Sequence, residues 1–509
     1  MEQLQRQVTE MDQLRRRVDE LEAAQRTARP APSPPPARTA AAPPRATRAT
    51  PVAPAPAPII VAEPPPAPVT ARVTRADVDE AMRGSMPNSW RIPGTETSVR
   101  LYGFIKANMY GDIDVLNRSD APSVQGIPLA GSAADQRSGD LSFSARRSRI
   151  GFDTQTPTPW GPLTTKLEMD FAGDQPSPSG AATSSGYMPR LRQAYVEVGG
   201  EQVRLLIGQA NSLWNEGLFE TLTDSTFLNA SAVRQAQVRL SGRLAQGLTG
   251  QVSLEAPYTD YTSSAGVFYP DSNLNGGASP ATNQVPDLLG RLTYRRDLGD
   301  LELRGLVRQL RIDTNGTAAS PTGSGSTVGW GLATNGKLNM RELWTGFGHD
   351  QLIGMASYGQ GIGRYFDATS SGQSAFSDIG LAGVSSVSLN AIPSWGVAAG
   401  YRHFWMPTLR STVGYAYARI DSPGYVAAFT PGSSAAQSVN NDMQMGVVNL
   451  IWSPFARESG GTLSNGSLDL GIEYIYYRRD LQGGSTAAGA GQFGQGIEQR
   501  IQAAAIARF

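Results

Sequence analysis

The chain has 509 residues, and its 44 Lys plus Arg balance 44 Asp plus Glu, so a net charge of zero implies no nucleic acid or other polyanionic partner. Cysteine is absent and His349 and His403 are the only histidines, which excludes disulfides, thiolate metal sites and thiol catalysis and leaves little for histidine-based chemistry. No segment approaches the roughly 18 consecutive apolar residues of a membrane-spanning helix.

The chain opens Met1-Glu2-Gln3-Leu4 with no basic region followed by an apolar one, so the numbering is read as that of a mature or trimmed chain. Residues 3–26 read as one helix. Leu4, Met11 and Val18 recur every seven residues, and Gln7, Leu14 and Leu21 repeat with an offset of three. That seam, flanked by Arg15, Arg16, Arg17, Asp19, Glu20 and Glu22, assigns 1–28 to a coiled-coil oligomerisation helix. A single amphipathic helix packed elsewhere gives the same pattern, but a lone helix this short is marginal in water. Residues 29–71 form a Pro/Ala-rich linker, since 15 of the 35 prolines lie between Pro30 and Pro68. Such a run cannot bury apolar surface and is expected as extended polyproline II, with a reach of roughly 120 Å. Residues 72–87 are a connector with a short helix over 72–86, placing Val73, Val78 and Met82 on one side.

From residue 88 to 509 the texture is different. Glycine, 56 in all, is absent before Gly84. Segments of about ten residues alternate apolar and polar between Gly/Ser/Asn/Asp/Pro-rich breaks. Leu163, Leu167, Met169 and Phe171 point one way and Thr164, Lys166, Glu168 and Asp170 the other. Sixteen such segments run from 98–110 to 496–509, with tight connections alternating with long ones. Even strand number, short turns at one end, long loops at the other and no helix within the segment predict an all-β, 16-stranded antiparallel transmembrane β-barrel. The connections near 340–349 and 453–465 are longer than that rule prefers. In the last strand Ile501, Ala503, Ala505, Ala507 and Phe509 share one face, and Glu498, Arg500, Gln502 and Arg508 the other. A terminal aromatic closing an alternating strand looks like the signal read by the machinery that inserts outer-membrane barrels, through Phe509.

Several motifs then carry a family resemblance. Trp90-Arg91-Ile92-Pro93-Gly94-Thr95-Glu96-Thr97 leads into Leu101-Tyr102-Gly103, and Tyr358-Gly359-Gln360-Gly361-Ile362-Gly363-Arg364-Tyr365 follows downstream. His403-Phe404-Trp405-Met406-Pro407 and Ile451-Trp452-Ser453-Pro454 complete the set. In this order they resemble the DcaP-like trimeric porins of Gram-negative outer membranes, over about residues 88–509. The resemblance implies a homotrimer set among outer-membrane lipids, an N-terminal arm in the periplasm, and passage of small anionic solutes such as dicarboxylates. The long Pro/Ala spacer departs from that pattern.

From residue 86 on, 29 Arg and three Lys meet 34 acids, a net charge of −2, so placement and not total charge sets selectivity. Charge on a lipid face costs roughly 2–4 kcal/mol near the bilayer midplane, which gives alternation energetic force. Outward Ile150 and Phe152 turn Arg147 and Arg149 inward. Outward Ala236, Val238 and Leu240 turn Arg239 inward, as well as Arg243. By the same parity Arg291 and Arg295, then Arg304 and Arg308, face the lumen. The bland reading of these arginines is a wall network paired with Glu168, Asp170, Glu255 and Glu302. The third long loop, 211–231, carries Glu216, Glu220 and Asp224 among Leu213, Trp214, Leu218, Phe219 and Phe227. A loop with that many large apolar residues is expected to fold into the barrel as a constriction, apolar side on the wall and acids toward the pore; contact with a neighbouring subunit is the rival. His349 and His403 are read as structural.

The chain is thus expected to be a diffusion channel, not an enzyme, with neither cofactor nor metal. An envelope tether whose arm engages the cell wall is one alternative. A sugar-selective porin is another; it needs a continuous aromatic stripe in the lumen, and parity places Tyr102 and Tyr195 there without forming one.

Overall fold

The structure is a computed structural model. It describes residues 82–509 apart from 118, 174–187, 217–218, 226, 264–267, 270–280, 315–322, 367–372, 378–386, 422–428, 460–461 and 465. The coiled coil, the Pro/Ala linker and residues 72–81 of the connector lie outside the described residues. Within the connector, Met82–Pro87 form turns and a bridge from Arg83 to Trp90, and Trp90–Arg91 pairs with Ser98 and Val99.

Sixteen strands follow. They are β1 (Ser98–Asp112), β2 in two pieces (Leu141–Ser144 and Arg149–Thr156), β3 (Leu163–Asp170), β4 (Arg190–Gly199), β5 (Val203–Asn211) and β6 (Arg234–Ala245). Then come β7 (Leu248–Glu255), β8 (Asp287–Arg296), β9 (Gly299–Thr314), β10 (Gly323–Asn339) and β11 (Gln351–Gln360). The last are β12 (Pro393–Met406), β13 (Leu409–Ile420), β14 (Asn440–Trp452), β15 (Leu468–Leu481) and β16 (Gln495–Arg508). Each pairs antiparallel with the next, and β16 closes on β1 with Ile105 opposite Ala507 and Met109 opposite Ala503. Closure leaves no sheet edge, the condition for a β-structure in hydrocarbon.

Alternation sorts the side chains as the barrel requires. On β1, Ile105 is 61% exposed and faces outward, while its neighbour Lys106 is 5% exposed and faces in. Leu332 and Val328 are likewise turned out, and Arg500 and Gln502 in. Large apolar groups outside and charges inside is the inverse of a soluble protein and the pattern of a membrane-spanning barrel. Trp160, Trp344, Trp405, Trp452 and Phe509 are exposed at the short-turn end, where an aromatic girdle belongs.

The two connections that looked long in sequence have their own structure. Residues 340–350 hold 3-10 turns at Met340–Glu342 and Thr345–Phe347, and Arg457–Ser459 pairs with Thr462–Ser464 as a small hairpin. At the other end, Tyr261–Ser263 from the fourth loop pairs in parallel with Ala375–Ser377 from the sixth. The loops there pack on one another. The largest buried cluster joins Ile127 and Leu129 of the first loop to Trp214, Phe227 and Leu228 of the third. The core of this molecule therefore sits inside the barrel, between its wall and its loops.

Candidate lumen site

The third loop, 212–233, enters the barrel because its apolar residues find sockets there. Leu213, Trp214 and Leu222 are each 1% exposed. The sockets are glycines facing inward. A Cβ on Gly331 of β10 would stand 2.9 Å from the Trp214 ring, and one on Gly400 of β12 would stand 2.5 Å from Phe219. Gly400 pairs with Gly414 of β13, so two adjacent strands leave the same gap for Phe219, whose ring stacks at 4.1 Å on Phe227. Buried carboxylates then satisfy the backbone of the loop. Glu473 of β15 accepts the N–H groups of Leu222 and Thr223 at 2.7 Å, and Glu255 of β7 accepts that of Leu213 at 2.9 Å. Lys106 Nζ donates to the Leu222 carbonyl at 2.7 Å, and Asn449 Nδ2 to that of Glu220 at 2.8 Å.

All three acids of the loop are taken up by wall cations. Glu216 pairs with Arg304 of β9, each side chain only 2% exposed. Arg410 of β13 holds Glu220 through two bonds at 2.7 and 2.8 Å, and Arg402 of β12 adds a third contact at 3.2 Å. Asp224 accepts from Lys106 at 2.9 Å and from Asn108 at 3.0 Å. The acids expected to face the pore are thus directed at the wall: Glu216 is buried, and Glu220 and Asp224 keep only an edge in the open.

The arginines singled out by alternation separate into three groups. Arg304 and Arg308 are sealed: Arg308 lies 3.4 Å from Asp287 and donates to the carbonyls of Tyr258 and Gly361. Arg295 sits at the short-turn end, 71% exposed and 3.8 Å from Asp300. Arg147, Arg149, Arg239 and Arg291 lie between, half-buried on the inward face. Arg147 reaches Asp120 at 3.3 Å, Arg149 reaches Glu168 at 3.3 Å and Arg291 reaches Glu302 at 2.9 Å. Arg239 bonds Gln237 at 2.7 and 2.9 Å and the Asn211 carbonyl, and among the described residues it has no carboxylate in ion-pair range.

Alternation missed four further arginines of the same wall, the first being Arg146, which pairs with Asp120. Between β3 and β4 the register slips, with Glu168 opposite Gln193 and Met169 opposite Leu191. The bulge turns Arg192 and Gln193 to the same side, and both donate to Glu168, at 3.3 and 3.4 Å. Arg190 and Arg192 share Asp170. Arg234 opens β6; its one side-chain bond among the described residues goes to the Ala232 carbonyl at 3.2 Å. Its guanidinium feels the like charges of Arg192, Arg149 and Arg190 as well as the opposite charge of Asp170. The β2–β6 wall thus gathers Arg146, Arg147, Arg149, Arg190, Arg192, Arg234 and Arg239, and their ion pairs among the described residues go to Asp120, Glu168 and Asp170. Tyr102 and Tyr195 stand on the same side, Tyr102 tied to Lys166 at 2.9 Å and to Glu168 at 3.1 Å.

The histidines lie at the short-turn end. Asp350 accepts from Tyr401 at 2.6 Å and from the Phe404 N–H at 2.8 Å, with His403 Nδ1 at 2.7 Å; His349 lies 3.1 Å from Glu458. This is a brace between turns.

Residues 88–448 match the family model described as Porin subfamily. Among solved structures, the chain is similar to the outer membrane channel DcaP of Acinetobacter baumannii, at 20% identity and a TM-score of 0.60, over 83% of this chain and 100% of that one. It is also similar to an anion-selective porin from Comamonas acidovorans, at 14% identity and a TM-score of 0.46, over 81% of this chain and 100% of that one. OmpT of Vibrio cholerae matches at 9% identity and a TM-score of 0.43, over 81% and 98%. No curated protein matches the chain.

Proposed function

We propose, from the premise that this chain belongs to the porin subfamily and forms an outer-membrane channel, that it conducts small anionic solutes, dicarboxylates among them, past the arginines of β2–β6. The observation that carries this is the division of charge inside the barrel. The third loop has its acids engaged by Arg304, Arg402, Arg410 and Lys106, whereas Arg234 and Arg239 have no carboxylate partner among the described residues. The open lumen then carries an excess of guanidinium although the barrel as a whole does not.

Low-dielectric walls focus the field of that excess and raise the local concentration of anions. A guanidinium keeps its charge at any working pH and presents a fork that matches a carboxylate through two bonds. A ladder of such forks replaces hydration in steps as a solute passes, without binding tightly enough at one point to stop it. The third loop narrows the cross-section and forces solutes against the arginine wall. The short turns and both termini face the periplasm, the long loops face outward, and three copies assemble through one outer barrel face together with the N-terminal heptads.

Proteoliposome swelling tests the solute class. Arg234→Ser with Arg239→Ser should slow entry of a dicarboxylate several-fold and leave a neutral sugar of similar size unchanged. An equal effect on both solutes would mean that the two arginines set pore width and not charge preference.

A further inference from the structure

The outward face of the barrel carries a groove of 680 Å³ at the short-turn end, lined by Tyr294, Arg296, Leu301, Gly336, Leu352 and Gly354. Register makes it. Gly336 of β10 stands opposite Gly354 of β11, and Gly354 opposite Ala399 of β12, so three adjacent strands present almost no side chain at one level. Toward the short turns, Leu338 and Leu352 raise one bank. Toward the long loops, a second groove of 750 Å³ continues the depression along Ala356 and Val397, beneath Tyr358 and Trp395. At the lower edge, Arg296 is the last residue of β8. Its guanidinium lies 5.2 Å from the Tyr294 ring and its Nε donates to the Tyr294 hydroxyl at 2.9 Å. Among the described residues no carboxylate pairs with it.

We infer that this groove seats a phospholipid of the periplasmic leaflet, its phosphate on Arg296 and an acyl chain along Gly336, Gly354 and Ala399. An outward cation at the end of a spanning strand stands at headgroup level, and a neighbouring tyrosine holds it there. The apolar channel rising from it accepts a chain that flat wall would leave in the bulk lipid. The leaflet follows from the proposed placement of the short turns in the periplasm, so the partner is a glycerophospholipid and not the glycolipid of the outer surface.

Native mass spectrometry of the full chain in nonionic detergent, titrated with phosphatidylglycerol, tests this. The wild-type chain should retain one lipid per subunit. Arg296→Gln and Gly354→Leu should each weaken retention at least five-fold. A Cβ at Gly354 meets no atom closer than 4.0 Å, so Leu there fills the groove without disturbing the wall. Gly446→Leu, on β14 and equally unobstructed at 3.8 Å, should bind as wild type. Inorganic phosphate should not displace the lipid. Equal binding by all variants would overturn the assignment, and so would a change in subunit number caused by Gly354→Leu, which would give the groove to a second copy of the chain. Charge selectivity of the channel should be unaffected in each variant, so failure here leaves the lumen reading standing and failure there leaves this one.

Discussion

Arg304 and Glu216 show how single residues hold the lumen together. With both side chains 2% exposed, removing one partner strands a buried charge at a cost of about 3–5 kcal/mol. The barrel ladder does not depend on that pair, so the strain should appear as local release of the loop. Glu216→Gln should leave the unfolding temperature of the barrel within a few degrees of wild type while making residues near 216 accessible to protease; limited proteolysis measures it, and an unchanged digest would show that the apolar sockets alone suffice. Asp120 holds the first loop to the wall through Arg146 and Arg147. Burial pushes its carboxyl up, but the two guanidiniums outweigh this and bring it down to about 2. A depressed carboxyl stabilises the folded clasp above its unfolded value near pH 4, and that contribution disappears as pH falls toward 2. Single-channel conductance should therefore be flat from pH 7 to about pH 4 and change only below it, with Asp120→Asn at pH 7 resembling the acid form. A transition at pH 5–6 would assign the titration elsewhere. Alternation made Arg149 and Arg239 legible as inward groups, because Ile150, Phe152, Val238 and Leu240 leave them no other face. It could not reveal that Arg304 and Arg308 are sealed, since Glu216 and the carbonyls of Tyr258 and Gly361 reach them from loops through tertiary packing. Arg192 was illegible because a bulge carries no composition signal of its own.

The third loop is the element that packs into the barrel. Its composition already indicated burial, since water has no use for Trp214, Phe219 and Phe227 together. The sockets that receive it were hidden: Gly400 and Gly331 read as ordinary strand glycines until a loop more than 100 residues away is placed against them. Gly400→Leu should therefore expel Phe219 and loosen the loop with the strand pairing intact, raising single-channel conductance toward that of a chain in which 213–228 is shortened. If shortening leaves conductance unchanged in a folded barrel, the loop does not narrow the path.

For the whole molecule, strand number and closure were legible because each spanning segment must alternate and each turn must be short at one end. Boundaries moved by only one to three residues at most strand ends, with β2 divided at 145–148. Assembly rests on a different footing, because the heptads of 1–28 lie apart from the barrel in sequence. Deleting residues 1–85 should leave a trimer that dissociates at lower detergent concentration; a truncated barrel that sediments as a monomer would assign assembly to the arm alone. Neutral overall charge implied no selectivity; on the proposed function it is set by the arginines of the β2–β6 wall, whose ion pairs among the described residues go to Asp120, Glu168 and Asp170. The most direct test is the reversal potential of the wild-type channel in a planar bilayer under a KCl gradient. It should lie on the chloride side at low salt, fade as the Debye length shortens from about 30 Å at 0.01 M to about 10 Å at 0.1 M, and move toward potassium when Arg149 and Arg234 are both changed to Ser. A wild-type channel that prefers potassium would contradict the account.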